Sequence, residues 1–136
     1  MGIMRFINGD VYEGNWKDDH MHGEGTMRYA KTEEDEEESV QPVYEGFFEN
    51  GVKTEGLMTY SSGDRFIGSF DEKGMKKNGT IFYKNGNKFE GEFVEGLRKM
   101  GVMTYKTKDV YTGEFKDGLF DGTGMFKFNN GDVYRG

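Results

Sequence analysis

The chain has 136 residues, with 22 glycines, one proline and no cysteine; 34 % of it is hydrophobic, 15 % is aromatic, and its net charge is −7. Without cysteine it can form neither a disulfide framework nor a zinc ribbon, and no apolar run approaches the ~20 residues of a membrane-spanning helix. Its aliphatic content is too small for an ordinary layered core and its aromatic content too high for a disordered chain, a combination that suits a single twisted sheet with one apolar face.

In chain order, Gly2-Ile3-Met4-Arg5-Phe6 reads as the second strand of a hairpin. A full hairpin follows over 9–29. Tyr12, Gly14 and Trp16 share one parity and Val11, Glu13 and Asn15 the other, which is the period of a half-buried strand. After a tip loop containing Asp18, Asp19, His20 and Met21, the residues Gly25, Met27 and Tyr29 repeat the alternation. Next comes an acidic insertion over 30–42, whose run Glu33 to Glu38 supplies six of the 25 acidic residues and is expected to be disordered and solvated. Without it the chain is almost neutral. Further copies occupy 43–60, 63–83, 86–105 and 108–128, and a half-repeat lies at 131–136.

The anchors Tyr12, Tyr44, Phe66, Phe89, Tyr111 and Tyr134 are 32, 22, 23, 22 and 23 residues apart. A fixed period of this size signals a stacked array whose units bury their apolar faces only against neighbours, so 1–136 reads as one array. Asn8-Gly9-Asp10, Ser62-Gly63-Asp64, Asn85-Gly86-Asn87 and Asn130-Gly131-Asp132 separate the copies. Turns of this kind allow positive φ and predict an unbroken antiparallel meander. Lys108-Asp109 replaces the glycine turn before the last full copy, and that junction is expected to be looser or differently shaped. Glycine recurs in every strand on the face that bears the rings; it is expected to make room for an aromatic ring or Met, bending the sheet into a trough with its aromatic layer inside.

The pattern Tyr-x-Gly-x-aromatic, a loop with Gly, then Gly-x-Gly-x-Met-x-Tyr resembles the membrane occupation and recognition nexus, or MORN, repeat over nearly the whole chain outside 30–41. Asp19 stands where later copies have the tip glycines Gly51, Gly74, Gly96 and Gly118, and Thr54, Lys77 and Lys99 replace the first Gly of the Gly-x-Gly pair. These departures bear on tip-loop shape. The resemblance implies an all-β, single elongated meander of stacked hairpins and a non-enzymatic scaffold at cytoskeletal or membrane-associated assemblies, or a targeting module of a larger enzyme.

Nothing in the sequence forms a nucleophile elbow, a phosphate loop or a Cys-His arrangement. His20 and His22, beside Asp18, Asp19 and Glu24, read as an exposed polar loop rather than a metal site; no catalytic residue, metal or cofactor is assigned. Two surfaces carry the functional reading. Tyr12, Trp16, Tyr44, Phe48, Phe66, Phe70, Phe89, Phe93, Tyr111 and Phe115 are expected to line a groove that binds a protein segment. Lys73, Lys76, Lys77, Arg98 and Lys99 form a basic rim along one edge, the alternative site, for acidic phospholipid headgroups. Nucleic acid is disfavoured by the overall acidity. Open terminal strands would allow homo-oligomers, and a cytoplasmic location is expected.

Overall fold

The computed structural model describes residues 2–30, 40–116 and 119–135, with the side chains of 119 and 121–123 outside the description. The run Glu33 to Glu38 therefore lies outside the described residues. Alternating parity and glycine turns produce twelve strands among those described: β1 (Gly2–Arg5), β2 (Val11–Lys17), β3 (His20–Arg28), β4 (Val43–Glu49), β5 (Val52–Thr59), β6 (Arg65–Phe70), β7 (Lys76–Phe82), β8 (Lys88–Val94), β9 (Leu97–Thr104), β10 (Val110–Lys116), β11 (Leu119–Lys127) and β12 (Val133–Arg135). They form one antiparallel meander in which every strand pairs with its sequence neighbours. The strands β3 and β4 pair in ordinary register from Arg28↔Val43 inward, so the sheet is continuous on either side of the acidic insertion. Its described flank is tied down by Tyr29 N donating to Pro42 O and Val40 N to Ser61 O.

A single row of glycines crosses the sheet. Gly2, Gly14, Gly25, Gly46, Gly56, Gly68, Gly79, Gly91, Gly101, Gly113 and Gly124 are successive cross-strand partners. A β-carbon on Gly56 would stand 2.5 Å from Glu45 O, 2.7 Å from Gly46 Cα and 2.9 Å from Tyr44 Oη, so both the backbones and the ring need the space. The ring over each glycine pair comes from the anchor two residues earlier on the first strand of the hairpin. It covers the glycine of its own strand and that of the next strand. Beyond this row each hairpin has a register shift. In the second to fourth copies the extra residue is Thr54, Lys77 or Lys99. None of these needs a left-handed backbone, whereas Gly23 in the first copy sits at φ 72°. That difference explains why the first Gly of the motif's pair can be replaced.

The turn at Lys108 corrects the expectation of a looser junction. Lys108 takes φ 76°, close to the 95–100° of Gly9, Gly63, Gly86 and Gly131. Its N–H donates to Tyr105 O at 2.8 Å and Tyr105 N donates to Asp109 O at 2.9 Å, the same two bonds that close the turns at Gly63 and Gly86. Likewise Asp18 and Asp19, at φ 50° and 63°, make the two-residue left-handed turn that Asn50-Gly51 and Glu95-Gly96 make elsewhere. Aspartate tolerates this region because its short side chain can bond locally.

One further role explains the residue after the left-handed turn position, which is glycine in three cases and Lys108 in the fourth. Asp10, Asp64, Asn87 and Asp109 each accept, through Oδ1, the backbone N–H of Ala30, Lys84, Lys106 and Asn129, at 2.7, 2.8, 2.9 and 2.7 Å. Each turn thus fastens the next turn along the same edge.

Candidate functional site

On the ring-bearing face the ten aromatic residues predicted to line a groove are brought together, but as a core. Rings from the two ends of the first strands meet over the glycine row in the order Trp16, Tyr12, Phe48, Tyr44, Phe70, Phe66, Phe93, Phe89, Phe115, Tyr111. Every consecutive pair is edge-to-face, with centroids 5.0–5.5 Å apart. Such contacts contribute about 0.5–1.5 kcal/mol each beyond burial. Tyr12, Tyr44, Phe66 and Phe89 are fully buried, and among the ten only Trp16 is not buried. Met27, Met58, Ile81 and Met103 fill the alternate strands. A single-layer sheet thus covers its own apolar face, because rings lying flat across glycines replace a second layer. Where the anchor is tyrosine, its hydroxyl donates to the carbonyl three residues on, as Tyr44 Oη does to Phe47 O at 2.8 Å. Burial, offset in part by hydrogen bonding with the backbone of Phe47, Thr54 and Glu55, pushes the Tyr44 hydroxyl up to about 12.

What this face presents to a visitor is a second layer of side chains. Lys53, Lys76 and Arg98 follow the tip glycines Gly51, Gly74 and Gly96 by two residues and lean inward over the rings. Lys53 Nζ lies 4.9 Å from the Phe70 centroid, Lys76 Nζ 5.1 Å from that of Tyr60, and Arg98 Cζ 5.0 Å from that of Phe115. Tyr60 Oη accepts from Lys76 Nζ at 3.5 Å and Tyr83 Oη from Arg98 Nη1 at 3.3 Å. Burial lowers the ammonium of Lys53, with Lys76 adding to the effect. Burial also lowers that of Lys76, against an opposing influence from Asp64. Among the described residues the ion pair is Arg28–Glu13, at 3.8 Å, so neither lysine has a carboxylate in contact.

A hollow of about 310 Å³ at Lys53 is lined by Phe70 and by the carboxylates of Glu49, Asp71 and Glu72, and two more of nearly equal size open beside Lys76 and Arg98. One, of about 380 Å³, is lined by Ile81, Tyr60, Tyr83 and Phe93, with the cations Lys76 and Arg98 and the carboxylate of Asp64 also on its wall. The other, of about 360 Å³, lies one copy later between Met103, Tyr83, Tyr105 and Phe115, with Arg98 on its wall and Phe120 where a second cation would stand.

The predicted basic rim divides. Lys76 and Arg98 belong to the ring face, whereas Lys73 in a tip turn and the bulge residues Lys77 and Lys99 are exposed near the same long edge. Lys53 escaped the sequence reading because it lies outside the basic stretch of the later copies. Its signal was the Gly-x-Lys/Arg offset from the tip glycine, shared by the second to fourth copies. On the opposite face a hollow of about 870 Å³ lies along the glycine backbone, lined among others by Glu13, Glu24, Glu45 and Glu55. Around His20 and His22 no three His, Asp or Glu side chains converge as metal ligands among the described residues. No helix is long and apolar enough to cross a membrane among those residues.

The family model described as MORN repeat matches residues 12–32, 44–65, 89–110 and 111–133, well over half of the chain. The copy between the second and third matches is in the same register, with Phe66 over Gly68 and Gly79. No curated protein matches the chain.

Proposed function

The chain belongs to the MORN repeat family, whose repeats are non-enzymatic modules of interaction and membrane association, and from it we propose a scaffold that binds an acidic segment of a partner protein. The segment lies across the ring face of the second to fourth copies, over the ladder that includes Phe66, Phe70, Phe89 and Phe93. The observation that carries this reading is the recurrence, on alternate strands, of a half-buried cation beside a tyrosine-walled hollow. The apolar walls bury side chains of the segment, and its carboxylates restore solvation that Lys53 and Lys76 have lost. Such scaffolds serve cytoskeletal or membrane-associated assemblies.

A second reading rests on different residues. Lys73, Lys77 and Lys99 are exposed along one edge and would meet anionic headgroups, at about 1 kcal/mol for each cation near the surface. The two readings separate by mutation. Lys76→Glu with Arg98→Glu is expected to abolish retention of a partner protein while leaving binding to phosphoinositide vesicles nearly intact. Lys73→Glu, Lys77→Glu and Lys99→Glu together should do the reverse if the edge binds lipid. Far-UV circular dichroism checks that each variant is folded, and partner retention unchanged in the first variant would end the ring-face reading.

A further inference from the structure

The spacing of the ring face restricts the shape of its occupant. Lys53, Lys76 and Arg98 lie on β5, β7 and β9, and Tyr60, Tyr83 and Tyr105 directly follow those strands. Each set therefore recurs every second strand, about 9.6 Å along the sheet axis. A polyproline II helix has three residues per turn and rises ~3.1 Å per residue, so one of its faces recurs every ~9.3 Å. The alternatives fit worse. In an α-helix two turns advance ~10.8 Å and drift by more than 2 Å over the two intervals from Lys53 to Arg98. In an extended strand like-facing side chains recur every ~6.7 Å, which is out of step with the cations at once.

Polyproline II also suits the chemistry of the face. It has no internal hydrogen bonds, so its carbonyls are open to donors, and it loses little entropy on docking against aromatic walls. Tyr60 and Tyr83 accept from Lys76 and Arg98, which leaves each hydroxyl proton to donate outward. The two hollows lined by Ile81 and Met103 are one period apart and can take the apolar residues between successive acidic ones.

We propose that the partner segment is an acidic polyproline II helix running across the strands, with a carboxylate at every third residue paired in turn with Lys53, Lys76 and Arg98. This inference rests on the ring-face reading above and adds conformation and sequence pattern to it.

Three synthetic peptides test it by fluorescence anisotropy with the full chain at low salt: (Glu-Pro-Pro)₄, a permuted peptide of the same composition with its glutamates grouped at one end, and (Glu-Gly-Gly)₄. The ordered proline peptide should bind at least about tenfold more tightly than either of the others, because it alone combines spacing with a preformed helix. Its binding should be lost in the Lys76→Glu, Arg98→Glu variant and retained in the Lys73→Glu, Lys77→Glu, Lys99→Glu variant. Equal affinity for the permuted peptide would show that charge alone acts and would overturn the inference. Equal affinity for the glycine peptide would remove polyproline II, and undiminished binding to the first variant would place the peptide elsewhere. Failure of the ordered peptide to bind would also overturn the inference, while the ring-face reading would stand or fall separately on partner retention.

Discussion

Replacing Gly56 by alanine tests whether the glycine row is a packing requirement or only a tolerated irregularity. Gly56 lies within β5 and is not in the left-handed region, so intrinsic preference alone favours alanine there by about 0.5–1 kcal/mol. The structure predicts the opposite sign. The new methyl carbon would be 2.5 Å from Glu45 O and 2.7 Å from Gly46 Cα, both on the adjacent strand, and 2.9 Å from Tyr44 Oη. The ring could swing away, but two of the three obstacles are backbone atoms of a paired strand. Relief therefore means separating β4 from β5 or displacing Tyr44 from Phe48 and Phe70, the rings it meets edge-to-face at 5.0 and 5.5 Å. Overpacking of this kind costs roughly 1–3 kcal/mol, and the double obstruction puts the net loss near the upper end, about 2–3 kcal/mol. With a urea slope of about 1–3 kcal/mol per M, the unfolding midpoint should fall by about 0.7–3 M. Circular dichroism against urea reads the midpoint, and hydrogen exchange locates the loss in β4 and β5. A midpoint unchanged or raised would refute the view that close approach at the glycine row sets the fold.

Lys108→Gly is expected to stabilise the chain by about 0.5–1 kcal/mol. It removes the left-handed strain at φ 76° and gives back part of the gain as glycine's chain entropy, and a lower urea midpoint would instead assign the Lys108 side chain a role of its own. Alkaline pH should unfold the protein through buried tyrosines. Tyr44 and Tyr60 are pushed up to about 12 from 10.0, mainly by burial. Between those values the unfolded chain has lost protons that the folded chain retains, so their stabilising contribution is complete below pH 10 and declines as pH rises towards 12. For Tyr44 the loss approaches about 2–3 kcal/mol, and Tyr44→Phe should flatten this part of the curve of urea midpoint against pH. An equally steep fall in that variant would exclude Tyr44 as its source.

The strands and their order were legible in the sequence, because period-two parity and the recurrent Asn-Gly and Ser-Gly turns are local signals that the backbone must obey. So were the identities of the rings. Two local exceptions were not, since Lys108 and Asp19 take left-handed conformations at positions that are glycine in other copies. They do so because the strands on either side are already held in register by their neighbours, and the turn must conform. The linking role of Asp10, Asp64, Asn87 and Asp109 was likewise hidden, because each donor it meets lies in the following turn.

The site depended more heavily on tertiary structure. Periodicity could show that rings and glycines share a face, but not that rings from successive strands interlock over one glycine row and bury themselves. That outcome arises from cross-strand distances, which place Tyr44 between Phe48 and Phe70, about one hairpin away from each other along the array. It turns the rings from an exposed lining into a core and brings Lys53, Lys76 and Arg98 over them, while Lys73, Lys77 and Lys99 remain at the edge. Neighbouring basic residues in sequence thus acquire different surroundings, because a one-residue bulge and the alternation of a strand separate side chains that composition counts together.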